Sequence, residues 1–112
     1  MGKEPSRASE VAQFFCDCLR EKGMKVNKIV LFGSQARGTA TRESDIDILI
    51  VSEVFRRKNI FMRAKLTQDA EINTIRKFMV PLDIITMTPE EYENRNSLIA
   101  EYAHAGKVIY TG

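Results

Sequence analysis

The distribution of apolar residues along the chain predicts alternating helices and strands. Near the N-terminus, apolar side chains recur at steps of three and four residues, at Val11, Phe14, Phe15, Cys18 and Leu19. This spacing indicates an amphipathic first helix, which Gly23 would end. Two short apolar runs at 29–32 and 46–51 each predict a buried strand, with a polar loop between them.

Residues 55–79 contain neither glycine nor proline and predict a long second helix. Its core-facing stripe is expected to consist of the apolar residues at helical spacing, which are Phe61, Ala64, Ile72, Ile75 and Met79. Pro81 would then break the helix, and the apolar run at 82–87 predicts a third strand.

The C-terminal part begins with a strong helix-start signal. Thr88 offers an N-cap hydroxyl, Pro89 suits the first helical position, and Glu91 stands where it can complete a capping box. The last helix would end near Gly106, and residues 108–110 predict a final short strand. The order of elements predicts an α/β (α+β) fold, in which helices pack against a mixed β-sheet of about four strands. Residues 1–112 would form a single domain.

The amino-acid composition excludes a few classes of function but does not identify one. A hydrophobic fraction of 44% and a charged fraction of 29% are ordinary for a globular chain, and no apolar run is long enough for a membrane span. A net charge of +2 is too small to indicate nucleic-acid binding. Cys16 and Cys18 are expected to be reduced thiols, and the absence of an apolar signal segment predicts a cytoplasmic protein.

Two aspartates inside an apolar run are the first candidate chemical feature. Asp45 and Asp47 are two residues apart, so on a strand their side chains point to the same face. Asp83, on the third predicted strand, precedes two isoleucines much as Asp47 precedes Ile48 and Leu49. Carboxylates held together favour a cation between them, and hard divalent cations such as Mg²⁺ suit oxygen ligands. Taken singly, each aspartate could instead be a strand cap or a polar residue at a sheet edge.

The loop between the first two strands is the second candidate feature. Gly33 and Ser34 directly follow the first strand and are expected to open a short helix through Ala36 and Arg37. Free backbone N–H groups at such a helix start favour an anion, and glycine lets a phosphate approach closely. Alone, the feature could be a simple turn. Beside a carboxylate cluster, it is what a nucleoside triphosphate with magnesium would require.

These residues together carry a family resemblance. Gly33-Ser34, Gly38, Ser44-Asp45 and Asp47 stand in the order and spacing that resemble the signature of the polymerase β nucleotidyltransferase superfamily. The stretch from Gly33 to Ile50 is most similar to the small stand-alone branch, the minimal nucleotidyltransferases, and the likeness extends from about Ile29 to the C-terminus.

The resemblance implies a role for each matching position. Ser34, with the backbone after Gly33, would hold the triphosphate of ATP, the substrate. Asp45, Asp47 and Asp83 would be the catalytic, metal-binding carboxylates of a site with two Mg²⁺ ions, and Asp83 would also accept the proton of the attacking hydroxyl. Two further residues are assigned to the nucleotide side, Arg37 and Ser44. Arg37 would neutralise phosphate charge, with a solvated surface role as the alternative, and Ser44 would orient the strand entry.

The group that would receive AMP, the acceptor, has no predicted binding site in a chain of this length. The resemblance implies a helical partner of the HEPN class, a toxin for which this chain would be the antitoxin, with AMP transferred to a hydroxyl of the toxin. The alternatives are a binding module that neutralises its partner by docking, and a transferase of small molecules of the aminoglycoside-modifying kind. Leu98, Ile99 and Tyr102 would either provide apolar surface for a partner or complete the core.

Overall fold

A computed structural model of the protein describes residues 7–32, 45–94 and 106–112. In these ranges the elements are α1 (Arg7–Glu21), β1 (Lys28–Phe32), β2 (Ile46–Val51), α2 (Ile60–Phe78), β3 (Leu82–Met87), α3 (Pro89–Glu93) and β4 (Lys107–Thr111). A 3-10 turn, Glu53–Phe55, lies between β2 and α2. The predicted order of strands and long helices is confirmed, and so is the four-stranded sheet.

The sheet is mixed, with its strands in the order β3-β2-β1-β4. β1 lies antiparallel to both β2 and β4, whereas β2 and β3 are parallel. A parallel pair needs a long crossover connection, and α2 supplies it. The sheet therefore has two edges, of which β3 is one.

The two faces of the sheet bury different sets of side chains. On one face, Ile46, Ile48 and Ile50 of β2 pack in a cluster with the buried residues of α1, which also contacts α2. On the other face, Leu49 and Val51 pack with a smaller cluster whose other members are Val30, Phe32, Ile85, Met87 and Tyr92. Alternate residues of β2 thus serve opposite faces, as the strand period requires.

The expected C-terminal end of α1 and the expected N-terminal end of α3 are confirmed. Gly23 adopts a positive φ of 83° after α1, and its N–H donates to the carbonyl of Arg20 at 2.9 Å, which satisfies a carbonyl that the helix leaves free. Thr88 and Glu91 form the predicted capping box, with Pro89 in the first turn. These ends were predictable because the signals are local in sequence.

The long helix differs from its prediction in both extent and buried face. α2 begins at Ile60 with Asn59 as its N-cap, because residues 53–55 form the separate 3-10 turn. The expected apolar stripe is wrong: Phe61 and Met79 are 80% and 81% exposed. The buried residues are instead Thr67, Ala70 and Thr74.

Small side chains suit this position because α2 lies on a face already filled by isoleucines of the sheet and by α1. They allow a close approach between helix and sheet, which large side chains would prevent. The two threonine hydroxyls donate to carbonyls within the helix, at 3.2 Å from Thr67 to Ala64 and at 2.7 Å from Thr74 to Ala70. The buried polar atoms are therefore satisfied.

Arg63 joins α2 to the connection before it and to α3 after it. Its side chain, only 14% exposed, donates to the carbonyl of Lys58 at 2.9 Å and to the carboxylate of Glu91 at 2.8 Å, and also reaches the carbonyl of Thr86. A lysine cannot reproduce this planar fork. We expect Arg63→Lys to lower the free energy of unfolding by about 1–3 kcal/mol, as measured by urea denaturation.

The matched control for this prediction is Arg56→Lys. Arg56 also forms a forked pair, with both carboxylate oxygens of Glu90, but the pair is exposed and should contribute little to stability. Equal urea midpoints for the parent and Arg63→Lys would show that Arg63 does not stabilise this junction.

Both cysteines are free, as expected, and burial raises the pKa of the Cys16 thiol to about 11. Among the described residues, no helix combines the length and apolar character that a membrane span requires. The prediction of one last helix as far as Gly106 is wrong at Asn94, where α3 ends because the backbone is extended, with φ −73° and ψ 99°. Residues 95–105, which include Leu98, Ile99 and Tyr102, lie outside the described ranges.

Candidate functional site

The parallel pairing of β2 and β3 places two of the predicted aspartates side by side. Asp47 is the register partner of Asp83, and both belong to the strand positions whose side chains face away from α1 and α2. Asp47 is half-buried and Asp83 is exposed. The structure therefore brings two of the three predicted carboxylates together on one face of the sheet.

The two strands are also fixed to each other at the end where the aspartates lie. The N–H of Ile46, one residue before Asp47, donates to the carbonyl of Pro81, two residues before Asp83, at 3.0 Å. Because a strand register shifts as a unit, this bond holds Asp47 and Asp83 opposite each other.

The pair carries a clear electrostatic signature. The pKa of Asp47 is raised above its ordinary value, first by burial and then by the nearby charges of Asp83 and Asp45, with a side-chain hydrogen bond to Asp83 acting in the same direction. A hydrogen bond between two carboxyl groups requires a proton on one of them. The fold therefore holds these groups closer than two ionised carboxylates favour.

Asp45 stands somewhat apart from this pair. It is exposed, directly precedes β2, and contributes to the site through its charge on Asp47. Within the described residues, no three His, Cys, Asp or Glu side chains are grouped so that they could hold a metal ion together. Asp47 and Asp83 therefore form a close pair, and Asp45 acts on it through its charge. A metal site shared by all three carboxylates stays a prediction.

The donor chemistry of the pair fits a hard divalent cation. Asp47 and Asp83 offer only oxygen ligands, which Mg²⁺ prefers, and a cation between them would relieve the repulsion between the two carboxylates. In the described part of the chain, Asp47 and Asp83 are thus the residues that could hold a metal. The charge of Asp45 acts on Asp47.

Four further predicted site residues, Gly33, Ser34, Arg37 and Ser44, lie outside the described ranges. The described end of β1 lies beside the carboxylates. Phe32, the last residue of β1, is the register partner of Asp47 across the antiparallel pair.

One acidic residue near the site was missed by the sequence analysis. Glu71 of α2 is half-buried, and its pKa is raised by burial and by the charge of Asp83. The available signal was its helical spacing from Thr67 and Thr74, which places all three on one face. The signal was overlooked because the larger apolar residues of α2 indicated a different buried face.

Comparison with known proteins identifies related sequences. The profile of the nucleotidyltransferase domain family matches residues 12–104, which include all the carboxylates described above. The chain is 30% identical over 100 residues to MJ1305 of Methanocaldococcus jannaschii, a candidate protein adenylyltransferase, covering 88% of this chain and 67% of that protein. It is also 56% identical over 41 residues to MJ0604 of the same organism, which has the same description, covering 36% of this chain and 41% of that protein.

Solved structures share the fold. A candidate nucleotidyltransferase from Sulfolobus solfataricus superposes with a TM-score of 0.69 at 23% identity, covering 99% of this chain and 92% of that one. A toxin–antitoxin structure determined with AMP-PNP superposes with a TM-score of 0.64 at 22% identity, covering 90% of this chain and 73% of that one. At these identities the likeness establishes the architecture of the chain.

Proposed function

The chain belongs to the nucleotidyltransferase domain family, and on that premise we propose that it transfers AMP from ATP to a hydroxyl group of a helical partner protein. The observation that carries the proposal is the in-register pair of Asp47 and Asp83, held against their repulsion on two parallel strands. A fold that needed these strands only for packing would gain stability by placing neutral residues there.

The proposed reaction is an in-line displacement at the α-phosphorus of ATP. The acceptor oxygen forms a bond to this phosphorus, the bond from the phosphorus to the bridging oxygen of the β-phosphate breaks, and pyrophosphate leaves. The hydroxyl proton passes to a carboxylate, for which Asp83 is the best placed because it is exposed beside Asp47.

A bound pair of Mg²⁺ ions would supply charge stabilisation for the entering and leaving oxygens. Asp47 and Asp83 would hold these ions, with Asp45 completing the set. Ser34 and the backbone following Gly33 would bind the triphosphate, Arg37 would offset phosphate charge, and Ser44 would orient the entry into β2. The position of Phe32, the last residue of β1, opposite Asp47 supports this assignment.

The proposed acceptor is a HEPN-type toxin, for which this chain would act as antitoxin in the cytoplasm. Two findings support a protein acceptor: the relatives described as candidate protein adenylyltransferases, and the fold shared with a toxin–antitoxin structure. The matches cover 67% and 41% of the lengths of those two relatives, so their whole-chain activity is extended to this chain only as a proposal.

The test is transfer of label from α-³²P-ATP to the purified protein encoded by the adjacent gene. The parent is compared with the double variant Asp45→Asn plus Asp47→Asn, and with the control Asp17→Asn plus Asp69→Asn, which neutralises two exposed carboxylates of α1 and α2. We expect magnesium-dependent label on the neighbour with the parent and the control, and none with the site variant. Equal neutralisation of the neighbour by all three forms, without any label, would reject the transferase and leave a binding module.

A further inference from the structure

The start of α2 exposes an unusual amount of apolar surface. Ile60, Phe61, Met62 and Leu66 are 73%, 80%, 47% and 41% exposed, and all lie in its first two turns. We call these four residues the α2 patch. Single exposed apolar residues are ordinary, whereas four within two turns of one helix expose apolar area on several sides of its start.

A concave surface adjoins this patch. A cavity of about 630 Å³ extends from Ile60 to the edge strand β3, where Ile84, Ile85 and Met87 contribute to its wall. No described strand pairs with the outer edge of β3. Ile60 belongs to both the patch and the cavity wall, so the exposed start of α2 adjoins a recess that could receive a side chain.

The described charges beside the patch that lack an ion-pair partner are basic. Arg57 and Lys58 precede the patch and Lys65 lies within it in sequence, and no described carboxylate lies within ion-pair distance of these three. Glu91, which lines the cavity, pairs with Arg63. The nearby acidic groups are already engaged, since Glu90 pairs with Arg56 and Asp69 pairs with Lys22. The surface therefore presents apolar area with a basic margin.

We propose that the α2 patch and its cavity bind an apolar surface with acidic edges on the partner protein, an inference that rests on the proposed function for the identity of that partner. Complementary charge at the margin increases the association rate and selects the partner, while the apolar centre supplies affinity. A second copy of this chain fits poorly, because a symmetric contact through the patch would bring the three basic residues against their own copies. The recess favours a protein over a flat lipid surface.

The test is calorimetric titration of the adjacent gene's product with the parent and with Phe61→Gln. The matched control is Met79→Gln, because Met79 is 81% exposed and lies just beyond the opposite end of α2. We expect Phe61→Gln to weaken binding at least about tenfold, since burial of a phenylalanine contributes more than one decade of affinity. Met79→Gln should bind as the parent does.

Charge reversal tests the margin independently. Lys65→Glu should weaken binding and reduce its dependence on salt, whereas Arg76→Glu, an exposed site near the other end of the same helix, should change neither. Thermal unfolding of all four variants confirms that each is folded.

Three outcomes would overturn the inference. One is parental affinity in Phe61→Gln, or no binding by the parent itself. The second is concentration-dependent self-association of the parent, measured by light scattering, that Phe61→Gln abolishes while binding of the neighbour is kept. The third is binding to vesicles containing phosphatidylserine that depends on Phe61 when binding of the neighbour does not.

The inference and the proposed function can fail separately. Loss of binding in Phe61→Gln without label transfer by the parent would support the docking surface and reject the transferase. Full label transfer and full affinity in Phe61→Gln would support the transferase and reject the docking surface.

Discussion

Asp47→Asn is expected to reduce AMP transfer by about a thousandfold or more and, in the same protein, to raise the melting temperature. The loss of activity is expected because an amide removes one of the negative charges that would hold the proposed Mg²⁺ ions at the reacting phosphate. Asp47 is the member of the group that contacts Asp83 and also senses the charge of Asp45.

The gain in stability has the same structural origin. The pKa of Asp47 is raised in the folded protein because burial and the neighbouring charges of Asp83 and Asp45 disfavour its ionised form. An acid with a raised pKa lowers stability as the pH rises from its unfolded pKa through its folded pKa, so at neutral pH the ionised Asp47 carries the full cost. Asparagine avoids this cost, and we expect a melting temperature higher by a few degrees at pH 7 without metal.

The comparison needs a pH series and a control. The difference in melting temperature between parent and Asp47→Asn should shrink as the pH falls towards 3.8, the ordinary pKa of an aspartate. Asp17→Asn, on the exposed face of α1, should leave both activity and melting temperature near those of the parent. A melting temperature that falls in Asp47→Asn at neutral pH would show that the Asp47–Asp83 pair stabilises the fold.

Phe55→Ala is expected to lower the free energy of unfolding by about 3–5 kcal/mol. Phe55 is completely buried, although it lies in a 3-10 turn of three residues, and it packs into the main core cluster. The guanidinium of Arg63 lies over its ring, at 5.8 Å from the centroid. Removal of the ring would leave a cavity at the junction of β2 and α2, and a domain of this size has only about 5–15 kcal/mol to lose.

Phe61→Ala is the matched control, since it makes the same chemical change six residues later. Phe61 is 80% exposed, so its removal should alter the free energy of unfolding by no more than about 0.5 kcal/mol. Urea denaturation of both variants measures the difference directly. Similar losses in the two variants would mean that the turn does not anchor the connection between β2 and α2.

Phe61 was expected in the buried stripe and is exposed, whereas Phe55 was not placed in that stripe and is buried. Caps and strand runs were predictable because their signals lie within a few residues, as in the capping box of Thr88 and Glu91. The buried face of α2 was not predictable from its own apolar residues, because the space left by the sheet and α1 selected Thr67, Ala70 and Thr74.

In the candidate site, too, local features could be predicted from the sequence and contacts between distant segments could not. The positions of Asp47 and Asp83 on strands were predictable from alternation, but their adjacency required the pairing of β2 with β3 across a long crossover. Glu71 was missed because its proximity to Asp83 depends on how α2 lies against the sheet, which its sequence does not encode locally.

Because Asp47 is paired with a residue on each neighbouring strand, the proposed activity depends on the alignment of three strands. Asp47 has Phe32 opposite it on one neighbouring strand and Asp83 on the other. Because side chains alternate with a period of two, a slip of β3 by one residue would turn Asp83 towards α1 and α2 and bring Leu82 or Ile84 beside Asp47. A single-residue insertion or deletion within β2 or β3 would therefore eliminate activity even in a chain that still folds. Length changes among active homologues are expected to concentrate in the connections between these strands.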